Sequence, residues 1–325
     1  MSAFPKTATL PRPEPARDVL KPHRPPAPGN RVTVTLAFLA IYLIWGSTYL
    51  AIWYAVASIP PLYTAGFRHA TAGTILLLWA LAKGQRPTWL QIRASIVVGF
   101  LFFLVGHGTL HWAETQIPTG LASLLIASEP IWVFLMASAV ERRWRMNALL
   151  LSGVLLGLAG VGLLMGRDVW SAGRTAFLGA VACLIGAISW SAGIIYSRRS
   201  HLSGSPLLLS ALSLLAGSAM LLSTGTLLGE YRGFSLGAVP MQAWLALAYL
   251  IVFGSVVAFT AYNWLLEHYS PTLVATHTYI NPIVAVLLGW WLANEHVSIN
   301  VMASAAMVVA AVFLVDRGMA RLKNA

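Results

Sequence analysis

The sequence predicts an all-α integral membrane protein whose ten transmembrane helices form two inverted five-helix repeats. Of its 325 residues, 58% are hydrophobic and only 10% are charged, which is far more apolar surface than a soluble core can bury. Ten apolar runs each approach the ~20 residues that cross a bilayer. They cover residues 34–57, 63–82, 93–113, 118–139, 147–166, 174–197, 206–229, 241–264, 271–293 and 297–316.

The repeat is predicted from pairs of residues that occur in both halves. His111-Trp112, Pro118-Thr119 and Glu129-Pro130 are matched by Asn263-Trp264, Pro271-Thr272 and Asn281-Pro282, at offsets of 152, 153 and 152 residues. We place the repeats at residues 32–166 and 167–316, with tails at 1–31 and 317–325. Two copies of five spans cross the bilayer in opposite directions, which is typical of secondary transporters.

The distribution of basic residues predicts the orientation. With both termini in the cytoplasm, 17 Lys and Arg lie on the cytoplasmic side and three lie outside, as the positive-inside rule requires. This asymmetry accounts for the net charge of +11 without a nucleic-acid partner. Residues 1–31 hold eight of the 17 prolines and no apolar run, so they are predicted to be a disordered basic tail rather than a secretion signal.

Glu129 is the strongest candidate site residue. It lies eleven residues after Pro118, or roughly 16 Å at ~1.5 Å per helical residue, which is near the bilayer midplane. Burying a carboxylate there costs ~2.5–3.5 kcal/mol, so it must face a wet cavity, pair with a cation or stay protonated. Pro130 and Pro282 are expected to bend their helices. We expect Glu129 and Asn281 to line a central cavity, where Glu129 either binds a solute ammonium group or accepts a proton during the transport cycle; a packing acid is the alternative for Glu129.

Arg68 and Glu114 form a second candidate pair. Arg68 lies about five residues inside the second span, and Glu114 ends the third, so the two side chains are expected to meet near the outer surface. The pair is interpreted either as a gate or as a static clamp between helices. His69 is expected at the level of the lipid headgroups.

Two tryptophans lie deeper than the interfacial belts where this residue usually collects. Trp45 is about eleven residues into the first span, and Trp190 is well inside the sixth. An indole that faces a cavity stacks on an aromatic solute or binds an amine by a cation–π contact. An indole that faces a neighbouring helix only fills volume, so both interpretations stay open.

Four further polar residues are candidates for the cavity lining. His107 and His111 are four residues apart on one helical face, a spacing that can chelate a metal. Because no Cys, Asp or Glu completes a ligand set at that depth, we expect no metal; these histidines line the cavity or make helix contacts. His277 and Asn263 have the same two interpretations.

Small residues and the single cysteine, Cys183, indicate which contacts within and between chains are available. Gly153 and Gly157 form a small-xxx-small pair that we assign to helix packing. Such faces also serve association, so a homo-dimer stays open. A single cysteine excludes an intrachain disulfide. The expected partners are a small-molecule substrate and membrane lipid; no cofactor is expected.

Several segments resemble EamA-type carriers of the drug/metabolite transporter superfamily over roughly residues 34–316. They are Trp45-Gly46-Ser47-Thr48, Pro60-Pro61, Ala65-Gly66-Phe67-Arg68, Glu129-Pro130, and Tyr279-Ile280-Asn281-Pro282-Ile283-Val284-Ala285 with Gly289 and Glu295. The resemblance implies ten helices as two inverted repeats in the bacterial inner membrane, with a central cavity. It also implies efflux of amino acids or related metabolites, sometimes drugs.

The rival class is a membrane-embedded enzyme. The sequence has no H-E-x-x-H, no G-x-S-x-G and no pair of intramembrane aspartates. It also lacks a G-x-x-x-x-G-K-[ST] loop, which excludes ATP-driven pumping by this chain alone. We therefore expect a transporter and not an enzyme; among transporters, uptake of sugars or nucleotide sugars is the alternative to metabolite export.

Overall fold

The computed structural model describes residues 31–142, 147–165, 172–200, 205–269, 274 and 276–324. The tail 1–30 and the Pro271-Thr272 pair lie outside these residues. The helices, in chain order, are α1 (Arg31–Val56), α2 (Pro61–Ala82), α3 (Trp89–Ala113), α4 (Thr119–Ile126), α5 (Glu129–Glu141), α6 (Ala148–Leu163), α7 (Arg174–Arg199), α8 (Pro206–Leu227), α9 (241–268), α10 (His277–Leu292) and α11 (Ile299–Asn324).

The fold class follows from the length and polarity of these helices. Seven helical stretches, one of which combines α4 and most of α5, are long and apolar enough to cross a membrane. α6 and the Ile280–Leu292 part of α10 are shorter apolar helices. Across the described residues the regular secondary structure is helical throughout. The prediction of an all-α integral membrane protein is therefore confirmed.

Three helices contain π-helical segments, which the hydropathy pattern did not predict. These are Ala40–Ile44 in α1, Gly99–His107 in α3 and Leu250–Val257 in α9. A π-helical turn widens the backbone hydrogen-bond spacing, and such turns frequently occur at functional sites. Both longer segments lie in the interior of their helices.

The bend expected at Pro130 is a complete interruption between α4 and α5. The residues Ala127 and Ser128 form a turn, and α5 begins at Glu129 with Pro130 in its first turn. The Ser128 hydroxyl donates a hydrogen bond of 2.6 Å to the Leu125 carbonyl. In contrast, Pro282 lies inside the continuous helix α10.

Helices before residue 164 pack mainly against helices after residue 173. α2 packs on α8, α6 on α11, and the π-helical segment of α3 on α7 and α8. A Cβ at Gly153 would lie 2.8 Å from the Val315 nitrogen, and one at Gly157 would overlap the Ile131 side chain. The assignment of both glycines to helix packing is confirmed.

The carboxylate of Glu295 caps the first turn of α4. Its Oε1 accepts from the Thr119 N–H at 2.6 Å, and its Oε2 accepts from the Gly120 N–H at 3.2 Å. These donors have no partner inside their own helix, and a negative charge is favourable there. Asn294, with a φ of 52°, turns the chain after α10, and the Glu295 N–H donates to the Gly289 carbonyl.

The carboxylate of Glu230 caps the first turn of α2 in the same way. Its carboxylate accepts from the N–H groups of Leu62 and Tyr63 at 3.2 and 3.1 Å. Gly229, with a φ of 80°, turns the chain, and the Glu230 N–H donates to the Gly225 carbonyl. Burial raises the pKa of Glu230, although the two backbone donors act in the opposite direction. Two carboxylates from the second half of the chain thus hold two helix ends of the first half.

Replacing Gly289 by alanine should destabilise the protein. A Cβ there would overlap Glu295 Oε2 and lie 2.7 Å from Thr119 Oγ1, so the carboxylate must move away from the α4 N–H groups. Loss of hydrogen bonds to a charged group costs ~1.5–3 kcal/mol. We expect a lower unfolding temperature for Gly289→Ala in detergent.

Gly162→Ala is the matched control for this substitution. Gly162 also lies in a helix, but a Cβ there meets nothing within 4 Å. Alanine is ~0.5–1 kcal/mol more favourable than glycine inside a helix, so this control should unfold at the same temperature or a higher one. Equal stability of the two variants would contradict the proposed role of the cap.

Candidate functional site

Trp45 is the centre of an aromatic cluster formed by both halves of the chain. Its indole Nε1 donates a hydrogen bond of 3.0 Å to the Gly254 carbonyl. Its ring lies 5.1 Å from the ring of Tyr262 and 5.0 Å from that of His277, centroid to centroid. Nδ1 of His277 is 2.9 Å from the Val274 carbonyl. The tryptophan is therefore held by a hydrogen bond at its polar edge and by ring contacts with Tyr262 and His277.

Trp190 lies in a second aromatic cluster, on residues of α3. Its ring stacks on Phe102 at 4.3 Å and on His107 at 5.1 Å, with interplanar angles of 23° and 17°. His107 Nδ1 is 2.8 Å from His69 Nε2, so one of these rings donates to the other. His69 is only 1% exposed. The expectation that it lies among the headgroups was wrong, because it faces the protein interior and bonds to His107.

The π-helical segment of α9 connects the two clusters. Arg68 Nε donates a hydrogen bond of 2.9 Å to Ser255 Oγ. A Cβ at Gly254 would lie 3.2 Å from Arg68 Nη2, so glycine lets the guanidinium approach the backbone whose carbonyl binds Trp45. Because His69 follows Arg68 and bonds to the histidine stacked on Trp190, a continuous row of contacts joins the two tryptophans.

Glu129 lies beside the Trp190 end of this row. The Ser191 hydroxyl, next to Trp190 in sequence, donates to the Glu129 carbonyl at 3.2 Å. The Glu129 side chain is partly exposed. Among the described residues no hydrogen bond to its carboxyl is found, and its charge acts on Tyr49 of α1. Its position in the first turn of α5 favours a negative charge, since the N-terminus of a helix carries partial positive charge.

Arg68 and Glu114 are both buried, but they do not form an ion pair in this conformation. Arg68 is 4% exposed and Glu114 is 2% exposed. Both carboxyl oxygens of Glu114 are without a hydrogen-bond partner, whereas Arg68 donates to Ser255. The two charges still interact at longer range.

Asn281 makes contacts that hold helices together. With its amide nitrogen facing them, the side chain donates to the carbonyls of His277, Ile41 and Tyr42 at 3.1–3.2 Å. Two of these carbonyls belong to the π-helical segment of α1. Asn263 is in α9, but its side chain lies outside the part that the structure describes.

His111 is completely buried on α3. Its Nδ1 bonds to the His107 carbonyl at 2.7 Å, and its Nε2 has no partner. His107 and His111 are rotated apart, with ring centroids 5.9 Å from each other. Among the described residues, no group of three or more His, Cys, Asp or Glu side chains is placed to hold a metal ion.

Several site residues were not found from the sequence. Gly254 and Ser255 look like ordinary small residues of an apolar helix, and Tyr262 and Phe102 look like ordinary aromatic packing residues. Their roles depend on the contacts of α9 and α3 with other helices. Tyr262 directly precedes the Asn263-Trp264 pair that helped to define the repeat, and this was the only sequence signal near it.

The arrangement suits recognition of a solute that has an aromatic or cationic group. Indole and imidazole faces give stacking and cation–π surfaces, and Glu129, whose backbone carbonyl is bound by the neighbour of Trp190, adds an acidic side chain. The two tryptophans differ, because only the Trp45 indole is fixed by a hydrogen bond to the backbone.

Trp45→Phe should destabilise the protein more than Trp190→Phe does. Both changes keep an aromatic ring, but the first also leaves the buried Gly254 carbonyl without its indole donor. Loss of one partner of a buried hydrogen bond costs ~1–3 kcal/mol. Thermal unfolding in detergent measures the difference; equal losses would mean that the indole hydrogen bond adds nothing.

Comparisons with known proteins identify the family. A model of the EamA-like transporter family matches residues 32–166 and again residues 177–316. The chain is 35% identical over 285 residues to the inner membrane transporter YedA of Escherichia coli K12, covering 87% of this chain and 90% of that protein. It is 24% identical to the transporter YoaV of Bacillus subtilis 168, covering 87% of this chain and 96% of the other.

A solved crystal structure with 22% sequence identity has a similar fold. The TM-score is 0.61, and the match covers 90% of this chain and 99% of that one. The family match, the similarity to YedA and the apolar helices support a multi-pass inner membrane protein. The chain belongs to the EamA-like transporter family and is a membrane transporter.

Proposed function

We propose that this protein is a secondary transporter that exports amino acids or related small metabolites by alternating access. The observation that carries the proposal is the partly exposed acid Glu129 at the start of α5, whose backbone carbonyl is bound by Ser191, the neighbour of Trp190 in α7. A carboxylate beside an aromatic face binds a solute ammonium by charge attraction and cation–π contact.

We further propose ten transmembrane helices in two inverted repeats. The π-helical segments support this, since Gly99–His107 and Leu250–Val257 lie at corresponding positions of α3 and α9. The packing supports it too. If α1, α3 and α4 of the first repeat correspond to α7, α9 and α10 of the second, the packing of α3 and α4 on α7 has its counterpart in the packing of α9 and α10 on α1. The family model matches the two halves separately.

In this proposal the site lies where the two repeats meet. Trp45 of the first repeat packs on Tyr262 and His277 of the second, whereas Trp190 of the second packs on Phe102 and His107 of the first. In alternating-access carriers, substrates bind near the midplane at the interface between repeats. Movement of one repeat against the other would therefore change both aromatic clusters.

The termini are proposed to lie in the cytoplasm, on the count of 17 basic residues against three. Green fluorescent protein fused to the C-terminus should fluoresce, and alkaline phosphatase at the same place should be inactive. Fusions after residue 232, in the proposed outer loop, should show active phosphatase. An active phosphatase at the C-terminus would contradict the orientation and the even number of spans.

Metabolite profiling tests the proposed function. Cells that lack the protein should retain the exported solute, and cells that overproduce it should release more of that solute to the medium. Purified protein in liposomes should then move the same solute. Protein that moves no amino acid or related metabolite, but takes up sugars or nucleotide sugars, would overturn export of amino acids.

Glu129→Gln should weaken solute binding while exchange of preloaded solute continues. The amide keeps the size of the carboxyl but cannot attract an ammonium, so KM should rise while the response to a pH gradient stays. Trp190→Ala should weaken binding by ~0.5–2 kcal/mol if the solute stacks there. Gly162→Ala, remote from the site, is the control for expression and reconstitution. Unchanged KM in a folded Glu129→Gln protein would leave Glu129 a structural acid.

A further inference from the structure

Glu114 is an acid that the proposed solute site does not use. It follows α3 directly and is 2% exposed, and both of its carboxyl oxygens are buried without a hydrogen-bond partner. Glu230 and Glu295, in contrast, are each satisfied by two backbone N–H groups. Glu114 therefore does not serve to cap a helix in this conformation.

An unpartnered carboxylate is expensive to bury. Moving an ionised group out of water costs several kcal/mol unless a counter-ion and hydrogen bonds replace the water. A neutral carboxylic acid avoids most of this cost. The surroundings of Glu114 in this conformation therefore suit the acid with its proton bound.

The groups that face Glu114 come from four parts of the molecule. They are Arg68 of α2, Tyr49 of α1, Cys183 of α7 and Glu295 after α10. The backbone N–H of Trp53 also lies near the carboxyl and favours its charged form, although its geometry is not that of a hydrogen bond. Arg68 attracts a negative charge at Glu114, and Glu295 repels one. Arg68 is the one cation of this set, and it is bound to Ser255 here.

His111 lies one helical turn before Glu114. Its Nδ1 donates to the His107 carbonyl, which leaves Nε2 as a buried acceptor without a partner. Residues three apart on a helix are neighbours on one face. A titratable acid and an open proton acceptor thus occupy adjacent positions at the end of α3, next to the row of contacts that leads to Trp190.

We propose that Glu114 is the binding site of a coupling proton and that Arg68 is the counter-ion of its ionised form. In the conformation described here, Glu114 holds the proton and Arg68 bonds to Ser255. When the proton leaves to water, Arg68 exchanges Ser255 for the carboxylate. Only an O–H bond of the carboxyl breaks and re-forms, and water takes and returns the proton.

This exchange would link the proton to the solute site. Ser255 is adjacent to Gly254, whose carbonyl holds the Trp45 indole. Movement of the guanidinium away from Ser255 therefore acts on the π-helical segment of α9 that positions Trp45. The inference rests on the proposed transport function, because it names the ion that drives it.

Infrared spectroscopy tests the proton site without any solute. Purified wild-type protein in lipid at neutral pH should show a carbonyl band of a protonated carboxylic acid that is missing from Glu114→Gln. Glu114→Asp should restore an acid band at a shifted position. If no acid band of the wild type depends on Glu114 at neutral pH, the inference is overturned, whatever the protein transports.

A chemical probe on the wild type avoids dependence on variants that fail to fold. Dicyclohexylcarbodiimide reacts with protonated carboxyl groups in apolar surroundings, and mass spectrometry locates the adduct. We expect an adduct at Glu114 at neutral pH that decreases at alkaline pH. Labelling of other carboxyls with none at Glu114 would contradict the inference.

Flux measurements in liposomes test coupling once profiling has identified an exported solute. Glu114→Gln should exchange preloaded solute but should no longer accumulate it in response to a pH gradient. Glu129→Gln should show the opposite pattern, with a raised KM and an intact response to the gradient. Wild-type protein that transports the solute, together with a Glu114→Gln protein that still follows the pH gradient, would overturn the coupling role and leave the export function standing.

Discussion

The structure depends on one constraint: inside a membrane, a polar backbone group that leaves the regular helical pattern finds no water to replace its lost hydrogen bond. Each described interruption has a side chain from another helix beside it. The Trp45 indole binds the Gly254 carbonyl in the π-helical segment of α9, and the Ser191 hydroxyl binds the Glu129 carbonyl after the α4–α5 break. Glu230 and Glu295 supply acceptors for the first N–H groups of α2 and α4. These bonds join the two halves of the chain, so the contacts that satisfy the backbone also position the site.

The exceptions to this constraint are informative. Glu114 is buried with both carboxyl oxygens lacking a hydrogen-bond partner, whereas Glu230 and Glu295 each accept two backbone hydrogen bonds. Buried polar groups are normally paired, and unpaired ones call for a functional explanation. The surroundings of the two candidate acids differ: Glu129 is partly exposed in the first turn of α5, while Glu114 is enclosed among titratable groups. Exposure suits a solute that enters and leaves, whereas enclosure suits a proton.

The sequence predicted what depends on local composition, and it missed what depends on packing. Hydropathy and length were sufficient for the membrane class, and Pro130 marked the place where α4 ends and α5 begins. Arg68, His107 and Trp190 were recognised because charged or large polar residues are unusual inside a span. The capping roles of Glu230 and Glu295 were not predicted, because the sequence around a glutamate that follows one helix does not show which distant helix N-terminus it will cap. His69 was misplaced for a related reason: depth along a helix does not say whether a residue faces lipid or protein.

The proposed repeats differ at the matching residues Glu129 and Asn281. Glu129 of the first repeat has a free carboxyl at the start of a new helix, whereas Asn281 of the second directs its amide to three carbonyls around the π-helical segment of α1. For the tryptophans it is the residue of the first repeat that makes the hydrogen bond. Trp45 donates to a backbone carbonyl, whereas Trp190 of the second repeat is held by ring stacking. Ser191 joins the stacked tryptophan to the start of α5, because its hydroxyl binds the Glu129 carbonyl. One end of the aromatic row is thus fixed by a hydrogen bond to the indole and the other by ring stacking alone, and this asymmetry between the copies favours the Glu129–Trp190 end as the proposed solute site.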